Sequence, residues 1–355
     1  DRTILNVTQP SKGVVELGWG AAAIGLKNKT TGAFGASFGW NNVVAGDFGI
    51  ATGRDNISSY SSATFGRNNN NNAWYGFSAG QGNNLTGIYS AAVNKSNTST
   101  GRSSFTANEG NKTTNAYSAT FGLNNINNAK GTLVSGSEYN VSGEYHVVGG
   151  KGLSSVTIGG ECNAVFGLEH KAVSGKASLI AGMYHTVTNN NNIVGGHTNT
   201  CNGKQSLVVG GSNTVADTAS SGVTGGYKNV ISHNNCAAFG QGLSSGKAAQ
   251  TIVGKYNTIS SDAYFIVGNG SADEDRSNAL EVTPDGVYTY KPTYARSTMT
   301  IDGVLTANGA FEAKSDASIS GKLNATNAEI SGAAAVGDTL TVGNKLIVSG
   351  NLHAV

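Results

Sequence analysis

The sequence predicts an all-β chain built as a solenoid of parallel coils, and three observations carry that prediction. The first is a glycine that returns about every fourteen residues: Gly25, Gly39, Gly53, Gly66 and Gly80, then Gly122, Gly136 and Gly150. After an irregular stretch near Gly160 it resumes as Gly182, Gly196, Gly211, Gly226, Gly240, Gly254 and Gly268, with Asn94 and Asn108 holding two places in between. A period of this size, kept for so long, is the signature of stacked coils. The second is composition: 51 of 355 residues are Gly and 12% are charged, about half the usual charged share. Stacked coils need turns and carry few side chains that reach far into water. The third is the near absence of proline, three in all, as expected where the N–H groups of each coil pair with the next coil.

Along the chain, residues 1–20 lead into coils that occupy 21–268. Two clear units are Ser206 to Val215 and Gln250 to Ile259. Each reads as a short apolar strand, a Gly turn, an Asn or other polar residue, and a second short β-branched strand. Gly and Asn tolerate positive φ and belong where a coil turns sharply. A coil therefore fits two strands of about five residues and two tight turns. From Gly25 to Gly268 this makes roughly 17 coils, a column about 80 Å long at a strand spacing of about 4.8 Å.

Adjacent apolar residues precede many of the glycines: Val147-Val148, Leu179-Ile180, Ile193-Val194, Val208-Val209 and Ile252-Val253. Side chains in a strand alternate between faces, so both faces of this strand need cover. A coil this narrow has only one interior, and the other face is expected to meet an identical chain. A cyclic homotrimer is the predicted assembly.

The units Ser155-Val156-Thr157-Ile158-Gly159 and Ser178-Leu179-Ile180-Ala181-Gly182 resemble the head repeats of trimeric autotransporter adhesins. That resemblance covers about residues 21–268 and implies a left-handed parallel β-roll. The remainder departs from that family, because 269–355 lacks the a/d heptads of a coiled-coil stalk. Instead, Val267-Gly268-Asn269-Gly270, followed by Arg276-Ser277-Asn278-Ala279-Leu280 and Val282, resembles a junction in bacteriophage tail fibres and other virion proteins. The resemblance makes 269–298 a junction. Residues 299–355 then read as a short-stranded β-shaft, with alternation in Ile319 to Ala325, at Leu340 and Val342, and at Leu346 and Val348. Strands this short are expected to intertwine as three chains.

The charge pattern excludes some functions. A net charge of +2 without a Lys/Arg cluster does not suit nucleic acid, which needs a basic stripe. No apolar run has the length of a membrane span. Cys162, Cys201 and Cys236 lack metal-ligand spacing and read as small buried hydrophobes. Glu138, Glu144, Glu161 and Glu169 fall at what read as different repeat positions, so the paired carboxylates of a glycan-cleaving site are not expected. Asp273-Glu274-Asp275 reads as a solvated loop, and histidines such as His170, His185 and His197 as isolated surface or turn residues. No enzyme, cofactor or metal site is predicted. The runs Asn68–Asn72 and Asn189–Asn192 are expected to form loops or Asn ladders.

One pattern points to binding. Tyr60, Trp74, Tyr89, Tyr117 and Tyr145 fall five or six residues before their column positions and are expected to stack along one edge. Such a ladder could be structural, or a platform for sugar rings. The function expected from all this is a structural and attachment fibre of a phage or phage-like particle, extracellular and on the virion. Its expected partners are two further copies, other fibre or baseplate proteins and a bacterial surface glycan. The alternatives are the head of a bacterial adhesin on a cell surface and, third, a polysaccharide-cleaving tailspike.

Overall fold

The computed structural model describes residues 17–290. Among them there is no helix, and the chain winds into about 18 parallel coils of roughly fourteen residues. Every coil contributes one five-residue strand, from Ala22–Leu26 at one end to Phe265–Asn269 at the other. These strands pair in parallel, in unbroken register, within a 20-stranded sheet. The second strand of each coil is shorter than the sequence suggests. It has only two residues, from Lys29–Thr30 to Val230–Ile231, and these segments form a 15-stranded sheet. The roll is so narrow that this side needs only two residues between its corners.

Strand alternation explains the interior. The second residue of each long strand points inward, as with Ala51, Val148, Ile180, Val208 and Ile252. It meets the second residue of the short strands, such as Val44, Val141, Val187 and Val215. The first and third residues of the long strands point outward. The core is therefore a single file of side chains, and its character changes along the molecule. From Ala129 to Ile266 it is one continuous apolar cluster. Before Ala129 it is mostly Ser, Thr and Asn, tied by bonds such as Thr30 Oγ1 to Ser37 Oγ (2.6 Å) and Thr113 Oγ1 to Thr120 Oγ1 (2.7 Å).

The glycine column is the fourth residue of each long strand, where the backbone takes positive φ. At Gly53 φ is 117°, and a Cβ there would lie 2.1 Å from the carbonyl oxygen of Gly66 in the next coil. Asn94 and Asn108 hold the same conformation, with φ of 75° and 76°. Two corrections follow from the register. The column passes through Gly210 and not Gly211, because Gly196, Gly210 and Gly226 are paired; the coil after Gly210 is sixteen residues long and absorbs the difference. Gly167 fills the place between Gly150 and Gly182. The segment Ser155 to Gly159, which resembles a long strand in sequence, instead supplies the short strand Thr157–Ile158.

At the far end Phe265–Asn269 pairs with Asn278–Thr283, which pairs with Gly286–Thr289, both antiparallel. This hairpin covers the last parallel edge of the long sheet. Gly268 aligns with Gly254 there but lies outside the left-handed φ range. Asp273, Glu274 and Asp275 lie exposed in the turn before this hairpin, where Arg276 pairs with Asp273 and the Ser271 hydroxyl donates to Asp275. The first sixteen residues of the N-terminal segment, the junction beyond 290 and the β-shaft at 299–355 lie outside the described residues.

Candidate functional site

Each coil turns at two corners, and both require a residue in the left-handed region. At the corner after the long strand the chain uses ordinary solutions, Lys27, Asn41, Asp55, Asn68 and Gly82 among them. The next residue is most often Asn, and its amide is buried. Asn97 is typical. Its Nδ2 donates to the carbonyls of Val93 (2.6 Å) and Asn108 (2.6 Å), and its Oδ1 accepts the N–H of Asn111 (3.0 Å). Repeated from Asn28 to Asn125, this makes an internal amide ladder that satisfies corner carbonyls and amides otherwise shut away from water. The first Asn run divides between these roles, with Asn68 turning the corner, Asn69 a rung and Asn70–Asn71 a short strand, while Asn189–Asn192 lies at the opposite corner, where Asn191 takes the left-handed conformation.

Histidine replaces Asn in part of this ladder, so His170 and His185 are buried and not surface residues. Their rings stack at 5.4 Å, with the N–H of His185 donating to Nδ1 of His170 (3.4 Å) and that of Asn199 to Nδ1 of His185 (3.2 Å). Burial, with the neighbouring His185, pushes His170 down to about 4; burial likewise lowers His185. His146 is buried in the equivalent row at the opposite corner, and burial lowers it too.

The opposite corner, just before the long strand, is where the expected aromatic edge lies, and the structure divides it. Tyr60 and Trp74 occupy one column, with ring centroids 5.2 Å apart. Tyr89, Tyr117 and Tyr145 occupy the next residue position, in the left-handed conformation. Tyr89 stacks on Tyr75 at 5.1 Å, not on Trp74. The offsets of six and five residues from the glycine column mark two columns that point differently. Phe34, Phe48 and Tyr75, absent from the expected set, share the second column, with Phe34 and Phe48 stacked at 5.3 Å. Their distance from the glycines carries the signal, once five and six are counted separately.

Acidic residues also fall differently from expectation. Glu144 and Glu161 share a column between Lys130 and Lys176, because the intervening coil is seventeen residues long. Lys176 pairs with Glu161 at 3.0 Å. Cys201 and Cys236 are buried, but Cys162 is exposed at the aromatic corner, beyond the last of the rings. A cavity of about 290 Å³ opens beside the terminal hairpin, lined by Thr258, Ser277, Asn278, Glu281 and Tyr290. No group of three or more His, Cys, Asp and Glu among the described residues stands where it could hold a metal ion. No described helix is long and apolar enough to cross a membrane.

No protein-family model matches this chain, and no curated protein matches it in sequence.

Proposed function

We propose that the chain is a structural and attachment fibre of a phage or phage-like particle, a left-handed β-roll associated as a homotrimer. The observation that carries the reading is the outward face of the long sheet. Leu133, Val147, Leu179, Ile193 and Leu207 stand in one column or its direct continuation, each between 37% and 51% exposed. Phe166, Val209 and Phe239 lie two residues further along their strands, on the same face. Monomeric proteins rarely leave an apolar patch of this extent in water. Identical chains present identical columns, so cyclic association covers them all. The resemblance of 267–287 to a fibre junction supports the virion setting, and three copies of a repeated surface favour binding by avidity.

Two measurements test this. Light scattering of the purified chain is expected to give three times the monomer mass, and L179E/I193E to give a lower mass with its β-sheet circular dichroism kept. A monomeric mass for the wild type rejects the trimer. Immunogold with antibody to this chain should label fibres on tailed particles from the source culture. Label confined to the cell envelope would make the protein an adhesin.

A further inference from the structure

The aromatic corner carries an expense that coil geometry does not demand. Phe34, Phe48, Tyr75, Tyr89, Tyr117 and Tyr145 all adopt φ between 55° and 59°. That conformation disfavours bulky side chains and suits Gly or Asn. At the other corner the same demand is met mostly with Asn, Asp, Gly, Ser, Lys and Glu, and a ring stands there only at Tyr184 and Tyr256 among the described residues. Past Tyr145 the aromatic column itself continues as Cys162, Ala177, Asn191, Gln205, Ser221 and Asn235, in the same conformation. The coils therefore close without rings, and the rings are confined to one stretch. Non-glycine residues held at unfavourable φ cluster at functional sites.

We infer that the part of this stretch from Phe34 to Tyr89 is a binding site for a linear, uncharged polysaccharide lying along the stacking direction of the coils; beyond it Arg102, Lys130 and Glu144 bring charge into the ring columns. The rings from Phe34 to Tyr145 in this column are between 46% and 62% exposed, and Trp74 is 53% exposed. Phe34 and Phe48, and again Tyr75 and Tyr89, sit on consecutive coils at a spacing of about 4.8 Å, close to the length of one pyranose; Tyr60 and Trp74 bridge the coil where Ser61 interrupts the column, and Ser103 and Gly131 interrupt it further along. Aromatic faces pack against the apolar faces of sugars while the ring edges stay wet. A polar column borders them: Asn72, Thr86, Thr100 and Asn128 are exposed and offer hydroxyls and amides to sugar hydroxyls. Between Ala33 and Tyr89 the two ring columns carry one charge, Asp47, whose carboxylate accepts the Ala33 N–H at 2.7 Å. An anionic chain would find no counter-charge there, and the single carboxylate open to a cationic one is already engaged by a backbone N–H. The site deepens the attachment reading, but it is tested on purified protein, so that gold labelling and glycan binding can fail separately.

The chain supplies its own test substitutions. Asn190-Asn191 and Asn234-Asn235 occupy the two columns in later coils, with Asn191 and Asn235 in the left-handed conformation. The variant W74N/Y75N/Y89N therefore uses residues the corner already accepts. Native electrophoresis would be run through gels containing hydroxyethylcellulose, galactomannan, xylan or dextran, with oligomeric mass measured in parallel. The wild type is expected to be retarded by at least one linear polymer. The variant should migrate as in a polymer-free gel, with unchanged mass. No retardation of the wild type in any gel, or equal retardation of the variant, overturns the proposal. A changed mass in the variant, whatever its mobility, makes the rings a contact between chains and overturns it too.

Discussion

Gly195 and Gly196 are neighbours in one strand with opposite demands. Gly196 has φ of 102°, and a Cβ on it would lie 2.1 Å from the carbonyl oxygen of Gly210; at Gly195 the nearest atom to a Cβ is 3.8 Å away. Gly196→Ala is expected to cost at least about 2 kcal/mol, from an unfavourable φ and a backbone clash together. Gly195→Ala should stay within about 0.5 kcal/mol, or stabilise slightly. Urea midpoints of the two variants decide this, and equal midpoints would reject the account. Asn97→Ala makes a second case. It strands the carbonyls of Val93 and Asn108 and the N–H of Asn111, and each buried orphan costs about 1–3 kcal/mol. A loss of at least about 3 kcal/mol is expected. The glycine column was legible in the sequence from its period alone. An Asn ladder was expected as one option for the Asn runs, but the column from Asn28 to Asn125 was not legible, because a rung's partners lie in neighbouring coils and an Asn beside a glycine looks like any turn residue.

The coils that contain His170 and His185 form an element with its own pH response. Both imidazoles are held below the ordinary 6.5, His170 at about 4, and each is further disfavoured as a cation by another histidine, His185 for His170 and His197 for His185. No carboxylate is among the groups acting on either. A histidine kept neutral by folding contributes its full stability above pH 6.5 and loses it as the pH falls from there towards 4, since the unfolded chain binds the extra protons. Amide hydrogen exchange in Ala164–Leu168 and Leu179–Met183 should therefore quicken, relative to intrinsic rates, on acidification through this window. In H170N/H185N, which restores the amide rungs, the dependence should flatten. An unchanged slope would show that other groups control it. The histidine pair escaped sequence reading because fifteen residues separate its members, and only a coil of that length brings them into contact.

Across the described molecule, the interior divides into a polar stretch before Ala129 and an aliphatic one after it. A solenoid's stability is nearly a sum of coil and neighbour terms, so the two stretches need not melt together. All three tryptophans, Trp19, Trp40 and Trp74, belong to the polar stretch. Tryptophan fluorescence is expected to change at a lower urea concentration than the far-ultraviolet circular dichroism of the whole chain, and coincident transitions would argue for one cooperative unit. The exposed apolar columns add the contribution of association, so both transitions should move upward with protein concentration if chains assemble.

By itself the sequence determined the coil, its period of about fourteen and the parallel stacking. Each coil must turn through a positive φ at the same place, and only a small set of residues does this cheaply. Strand alternation likewise made the doubly apolar strands legible. The tertiary structure decided which residues share a column. Coils of thirteen, fifteen, sixteen and seventeen residues interrupt the period, and backbone pairing, not residue count, places each extra residue at a corner. That choice moved the column from Gly211 to Gly210 and brought Glu144 beside Glu161. Contacts between coils are set by hydrogen-bond register, and a single inserted residue leaves the register intact while shifting every count made along the chain.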